Sequence, residues 1–273
     1  MLECRKPNGR LLLVMVCAIG FAVGSGPVRA QSTIGKDGQL RTAFVLSDTS
    51  LVTRDRQGQL HGVLVDIANL LAAKLGEALA PVPYDNLVRL HQSIGKDAWD
   101  VAIVARDLSR TRILAFSQPF LVLENGYVAR PASGLLGADD VDRSSIKVAV
   151  IDNTPAAAYL SRNLKHAKLV RLYGGVSAAK DALTFGRADV FAGTVERVHE
   201  VAAGVPGASL LAGTFSQVPI TFAVPKANAA SLEAINDFIT QATKDGTLSS
   251  VITTASVTGI RLPLIPLRQR GIR

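Results

Sequence analysis

Apolar and polar positions follow two periods along this chain, and each period marks an element. LRTAFVL (40–46) and WDVAIVA (99–105) are short, nearly continuous apolar runs. Runs of that length read as strands buried on both faces. Between them, GVLVDIANLLAAKLG (62–76) places Ile67, Leu70, Leu71 and Leu75 on one helical face. Asp66 suits the first turn of that helix and Gly76 its end. The polar stretch 53–61 reads as a turn, and 82–84 as a short strand with a helix following to about residue 94. DLSRTRILAFS predicts a short helix, leading into a long strand over 118–130.

After PASG and an acidic turn (Asp139, Asp140, Asp142) the alternation restarts. Strands are expected at 146–152, 168–174, 188–193 and 219–226, with helices at 155–164, 176–185 and 194–203. Two terminal helices, 228–244 and 246–253, close the series before the basic tail RLPLIPLRQRGIR. Strands alternating with helices define an α/β fold with mostly parallel sheets. Because the series occurs twice, it predicts two lobes of about 100 residues each.

The first thirty residues follow a different rule. Arg5, Lys6 and Arg10 precede an apolar run at 11–23, and Val28 and Ala30 occupy the small-residue positions of a cleavage site. That order predicts a secretory signal peptide over 1–30 and a periplasmic mature protein. The run is shorter than the roughly 20 residues a membrane span needs. A signal anchor is the rival reading; a lipoprotein at Cys17 is disfavoured by the bulky Val16 before it. Cys4 and Cys17 leave with the leader, so the exported chain has neither disulfide nor thiol nucleophile.

Composition then narrows the class. With 48% hydrophobic and 19% charged residues the chain is too apolar for disorder. The net charge of +8 suggests a polyanionic partner at first sight. Yet Arg5, Lys6, Arg10 and Arg29 lie in the leader, and Arg261, Arg268, Arg270 and Arg273 in the tail. What remains is nearly neutral, and aromatics are only 5%, so no nucleic-acid partner is expected. Pro263 and Pro266 argue against a helix in the tail, which reads as a solvated end. GxSxG, HExxH, GxxxxGK[ST] and GxGxxG are all absent. His61, His91, His166 and His199 are scattered, so neither a metal nor another cofactor is expected.

Two stretches carry candidate chemistry. In WDVAIVARDLSRTRILAFSQPF (99–120) a buried strand ends at Ala105 and Asp107 is placed to cap the next helix. Arg110 is then the third helical residue, where a cation opposes the helix dipole. Free backbone N–H groups beside a guanidinium make an anion receptor; a surface arginine paired with Asp107 is the plain alternative. In VAVIDNTPAAAYL (148–160) a strand ends at Asp152, Asn153 and Thr154 form the turn, and Pro155 suits the first helical position. Ligands of open α/β sheets bind at such strand ends.

These segments, together with ALTFGRADVFAG (182–193), resemble the family 3 extracellular solute-binding proteins of ABC importers, amino-acid type, over about residues 38–255. The strongest motif is an Arg six residues before the Phe of an F-S-x-P-[YF] segment, here Arg110 with Phe116, Ser117, Pro119 and Phe120. Asp107, Arg110, Glu124 and Tyr127 also match a proteobacterial subgroup with D-x-x-R and E-x-x-Y. The resemblance implies a two-lobed type II periplasmic-binding fold joined by two crossover strands. Lobe 1 would comprise 31–130 and 220–258, lobe 2 would comprise 131–219, and 259–273 would be the tail.

It also implies that Arg110 grips a ligand carboxylate while the Asn153-Thr154 turn contacts the same group. The family has Gly where Asn153 stands. Its aspartate for the ligand ammonium, five residues after that of G-R-x-D (Asp189), falls on Thr194. Asp48 is the acid placed to replace it. A pocket without a carboxylate at the ammonium should reject α-amino acids, since an unpaired buried ammonium is strongly disfavoured. The implied function is therefore capture of a small carboxylate-bearing ligand by a monomeric, non-enzymatic protein. Closure about hinges near 128–133 and 216–222 would deliver it to an inner-membrane permease. Two alternatives stand beside this: an accessory protein of a quinoprotein dehydrogenase system, and a dehydratase using Asp107, Glu124 or Glu196 as its acid.

Overall fold

The computed structural model describes residues 34–46 and 51–263; the leader, Asp48 and the last ten residues lie outside the described part. In chain order its strands are β1 (Gln39–Val45), β2 (Thr53–Arg54), β3 (Leu60–His61), β4 (Ala78–Tyr84), β5 (Val101–Ala105), β6 (Leu114–Phe116) and β7 (Leu121–Ala129). There follow β8 (Lys147–Ile151), β9 (Lys168–Leu172), β10 (Val190–Thr194), β11 (Ser209–Leu210), β12 (Ser216–Pro225) and β13 (Ile260–Arg261). The helices are α1 (Val63–Leu75), α2 (Leu87–Gln92), α3 (Pro155–Asn163), α4 (Gly175–Thr184), α5 (Val195–Ala203), α6 (Leu232–Lys244) and α7 (Thr247–Ala255).

One sheet runs in the order β4-β1-β5-β12-β7-β10-β8-β9. Its two ends are parallel: β1 pairs with β4 and β5, and β8 with β9 and β10. Its middle is antiparallel, where β12 pairs with β5 and β7, and β7 with β10. The mixed pattern follows from the long strands β7 and β12: β7 passes from β12 to β10 along its length, and β12 lies between β5 and β7. Residues Leu121–Asn125 of β7 pair with β12, while Asn125–Ala129 pair with β10. Asn125 belongs to both ladders, opposite Ser216 on one side and Thr194 on the other.

Successive strand residues point to opposite faces of a sheet. In β8 and β10, Val148, Val150, Val190 and Ala192 accordingly pack with Leu160 of α3. The intervening Ala149 and Phe191 join Ala179 and Leu183 of α4 and Val198 and Val201 of α5 on the other face. In the first half, Leu40 and Phe44 pack with Ile67 and Leu71 of α1, and with Ile235 and Ile239 of α6. Ala43 and Ala102 face Leu90 of α2 and Trp99 instead. Helix α1 ends as its sequence predicts, with Gly76 in the left-handed region at φ 74°, its N–H bonded back to the last turn.

Several local expectations change. The polar turn at 53–61 closes the hairpin β2–β3, because the Asp55 carboxylate accepts from the N–H groups of Gln57 and Gln59. The strand expected at 82–84 begins at Ala78, since parallel pairing with β1 extends along its full length. The final long strand starts at Ser216 rather than 219, where β7 offers a partner. The helix expected after Asp107 is a single 3-10 turn, Leu108–Arg110, and the one expected at 228–244 opens with a 3-10 segment over Lys226–Ser231. The tail is held at its first residues: β13 pairs with Val122 and Leu123 of β7, and Arg261 Nε donates to Glu124 Oε1 at 2.9 Å. Backbone pairing and a half-buried ion pair replace the solvated end there.

Phe222 on β12 is fully buried between Phe120 and Phe238, with ring centroids 4.5 and 6.5 Å away. Phe222→Ala is expected to destabilise the fold by about 3–5 kcal/mol through the cavity left behind. Urea unfolding should show a lower midpoint at an unchanged slope.

Candidate functional site

The C-terminal ends of β5, β8 and β10 meet the middle of β7 and β12, and a cavity of about 250 Å³ lies there. From the first half Val45, Leu51, Leu64, Leu87, Ile103 and Val104 line it. Leu123, Val218 and Ile220 come from the two long strands. From the second half come the turn after β8, with Asn153, Thr154, Pro155 and Ala156, and the end of β10 running into α5. Helices α3 and α5 thus open on the cavity with their first residues, the positive ends of their dipoles.

Of the residues singled out in the sequence, Asn153, Thr154 and Thr194 line this cavity. Asn153 has φ 59°, a left-handed conformation that Asn tolerates better than most side chains. It can therefore stand where the family's turn carries Gly. Thr154 caps α3: its hydroxyl accepts from Ala157 N–H at 3.2 Å and donates to the Ile151 carbonyl at 2.8 Å. Thr194 occupies the corresponding place before α5 but makes no such bond. Its buried Oγ1 has no hydrogen-bond partner among the described residues.

Arg110 and Asp107 do not line the cavity. The Asp107 carboxylate accepts from Ser109 N–H and hydroxyl, at 2.9 and 2.7 Å, and from Arg110 Nε at 2.8 Å. The Ser109 hydroxyl, helped by its N–H and by Arg110, holds that carboxyl below its ordinary range. Arg110 also meets the ring of His91 on α2. Burial first, and the Arg110 charge second, lower the His91 pKa from its ordinary value. The plain alternative stated for Arg110, a pair with Asp107, describes this conformation. Asp48 lies outside the described residues.

Glu124 binds Arg261, and Tyr127 is buried against Phe215 with ring centroids 4.4 Å apart. Burial pushes the Tyr127 hydroxyl well above its ordinary pKa. Both stand in the framework beside the cavity. Among the described residues no group of His, Cys, Asp or Glu could hold a metal ion, and no helix is long and apolar enough to cross a membrane.

Two polar residues of the cavity, Asn125 and Arg197, are not among the sequence candidates. Asn125, buried in the shared position of β7, donates through Nδ2 to Ser216 Oγ at 2.9 Å. Arg197 is the third residue of α5 and the one charged group lining the cavity among the described residues. Its Nε is buried without a hydrogen-bond partner among the described residues. A signal for Arg197 was present: like Arg110, it is a cation in the first turn after a buried strand.

The sheet order and the cavity at the strand junction define a type II periplasmic-binding fold, as solved structures similar to it bear out. The ancestral amino acid-binding protein AncCDT-1, described as a precursor of cyclohexadienyl dehydratase, is 21% identical at TM-score 0.67, over 82% of this chain and 97% of that one. A mutant of ArgBP from T. maritima is 25% identical at TM-score 0.63, over 80% and 94%. An amino acid ABC transporter substrate-binding protein from Streptococcus pneumoniae, bound to L-arginine, is 20% identical at TM-score 0.64, over 84% and 98%. No curated protein matches significantly. Residues 41–254 match the model of the bacterial extracellular solute-binding proteins, family 3, and the chain belongs to that family. It is a family of binding proteins.

The His91 environment gives a titration prediction. A histidine with a lowered native pKa binds fewer protons than in the unfolded chain, so its contribution to stability is complete above about pH 6.5 and declines as pH falls toward the native pKa. NMR titration should place the His91 midpoint below the ordinary histidine value. Arg110→Ala should move it upward by removing the charge, while burial keeps part of the shift.

Proposed function

We propose that this chain captures a small carboxylate-bearing solute for an ABC-type importer. The supporting observation is the cavity itself, lined from both halves of the sheet around the strands they share. A ligand that touches both halves stabilises a closed arrangement by its differential affinity for it. On this reading 31–130 with 220–258 move as one lobe and 131–219 as the other, hinging near 128–133 and 216–222. The closed form is the one a membrane permease would dock. Asn153, Thr154 and Thr194 serve as contact residues on the second lobe, and the mature protein works in the periplasm as a monomer. Neighbours described as arginine-binding or as ABC transporter components support the transport role.

The test is a thermal-shift screen of the chain lacking residues 1–30 against amino acids, 2-oxo acids, dicarboxylates and aromatic acids. A carboxylate at 100 times its dissociation constant should stabilise the fold by about 2.7 kcal/mol. The same ligand should reduce the radius of gyration measured by X-ray scattering. Stabilisation only by solutes lacking a carboxylate would refute the proposal.

A further inference from the structure

We infer that the ligand is an apolar monocarboxylate without an ammonium group, and that Arg197, rather than Arg110, is its anchor. This rests on the capture reading above and specifies its ligand.

The polar side chains lining the cavity are Asn125, Asn153, Thr154, Thr194 and Arg197. None of the five is an acid. Thr154 already spends its hydroxyl on Ile151 and Ala157, and Asn125 its amide N–H on Ser216. The capacity left over is mainly that of a donor: the Arg197 guanidinium, with the Thr194 hydroxyl beside it at the start of the same helix. Thr194 and Asn125 are held side by side by the β7–β10 ladder. All five belong to β7 or to the second half of the sheet, whereas the first-half lining among the described residues is apolar.

A ligand matched to this wall presents one anionic end to Arg197 and Thr194 and an apolar body to Leu51, Leu64, Ile103 and Val104. Arg197 is the charged residue among the described lining, and a carboxylate that meets a guanidinium forms charge-assisted hydrogen bonds, roughly twice as strong as neutral ones. An ammonium beside the carboxylate would meet no counter-charge among the described lining residues. A second carboxylate would meet aliphatic side chains. The volume of about 250 Å³ lies just below the roughly 300–1,000 Å³ of typical ligand pockets, which favours a small molecule. Arg110 is occupied, since its guanidinium is shared between Asp107 and His91 outside the cavity.

The experiment is calorimetric titration of the chain lacking residues 1–30 with matched pairs. These are 4-methyl-2-oxopentanoate against L-leucine and phenylpyruvate against L-phenylalanine, with hexanoate, benzoate, succinate and 2-oxoglutarate alongside. The tightest binder is expected among the apolar monocarboxylates, ahead of its amino counterpart by about 100-fold or more. Arg197→Ala should weaken that binder about 10- to 100-fold, with Arg197→Lys recovering part of the loss. Arg197→Gln keeps the side-chain length without the charge; should the alanine variant not fold, it must show the same weakening. Leucine, phenylalanine or a dicarboxylate binding best would overturn the inference while leaving carboxylate capture intact. Unchanged affinity in folded Arg197→Ala or Arg197→Gln would overturn the anchor. Failure of every carboxylate, with a neutral or cationic solute binding instead, would overturn the capture reading and this inference with it.

Discussion

The double pairing of Asn125 fixes the geometry on which the site depends. A parallel sheet of βα units keeps its helices on both faces and its loops at the strand ends. Here two such units are joined because β7 and β12 each run antiparallel through the middle of the sheet. The change of partner from β12 to β10 falls on one residue, so the ends of β5, β8 and β10 arrive at one place. Asn125 is buried there to 1% exposure, with its side chain spent on Ser216. An unpaired amide at that depth would cost about 1–3 kcal/mol. The bond therefore holds the junction together while leaving the space in front of it open.

That space divides its chemistry by origin. The first half fills its side with side chains that face inward at strand and helix spacing, and those are aliphatic for the same reason the core is. The second half meets the cavity with strand-to-helix turns, where backbone conformation calls for Asn and Thr. Polarity at the cavity is thus a consequence of which ends of which elements reach it. Arg197 is different: no local rule asks for a cation in the first turn of α5, where the helix dipole favours an acid. Arg110 breaks the same rule, yet Asp107 pairs with it on the spot. Arg197 Nε has no hydrogen-bond partner among the described residues.

Most of the framework was legible because it is periodic. The apolar runs at 40–46, 99–105, 146–152 and 188–193 correspond to β1, β5, β8 and β10, and the face Ile67, Leu71, Leu75 is the buried face of α1. What sequence left obscure depends on partners distant along the chain. Residues 78–81, ALAP, carry little strand signal and are extended because β1 lies alongside. Ile260 and Arg261 form a strand only because β7 offers Leu123 and Val122. The site divides in the same way. Asn153, Thr154 and Thr194 were found by reasoning about strand ends and by resemblance, and they line the cavity. Arg197 carries the same sequence signal as Arg110, a cation in the first turn after a buried strand. Whether a first-turn cation is neutralised is decided by neighbours that no local window contains.

The glycine preceding Thr194 shows how closely the cavity wall packs beneath that arginine. Gly193 is the last β10 residue before the cap, and a Cβ there would lie 3.2 Å from the Phe191 ring and 3.7 Å from Arg197 Cβ. Phe191 is fully buried and part of the core beneath α4 and α5, so it has no room to yield. A side chain at 193 would press on that ring, while meeting the stem of Arg197 at ordinary contact distance. With none there, the arginine lies close over the strand end, its Nε shielded from water while the cavity stays open beside it. A cation partly shielded in this way gains more from an arriving anion than one fully in solvent, because attraction between charges grows as the surrounding dielectric falls.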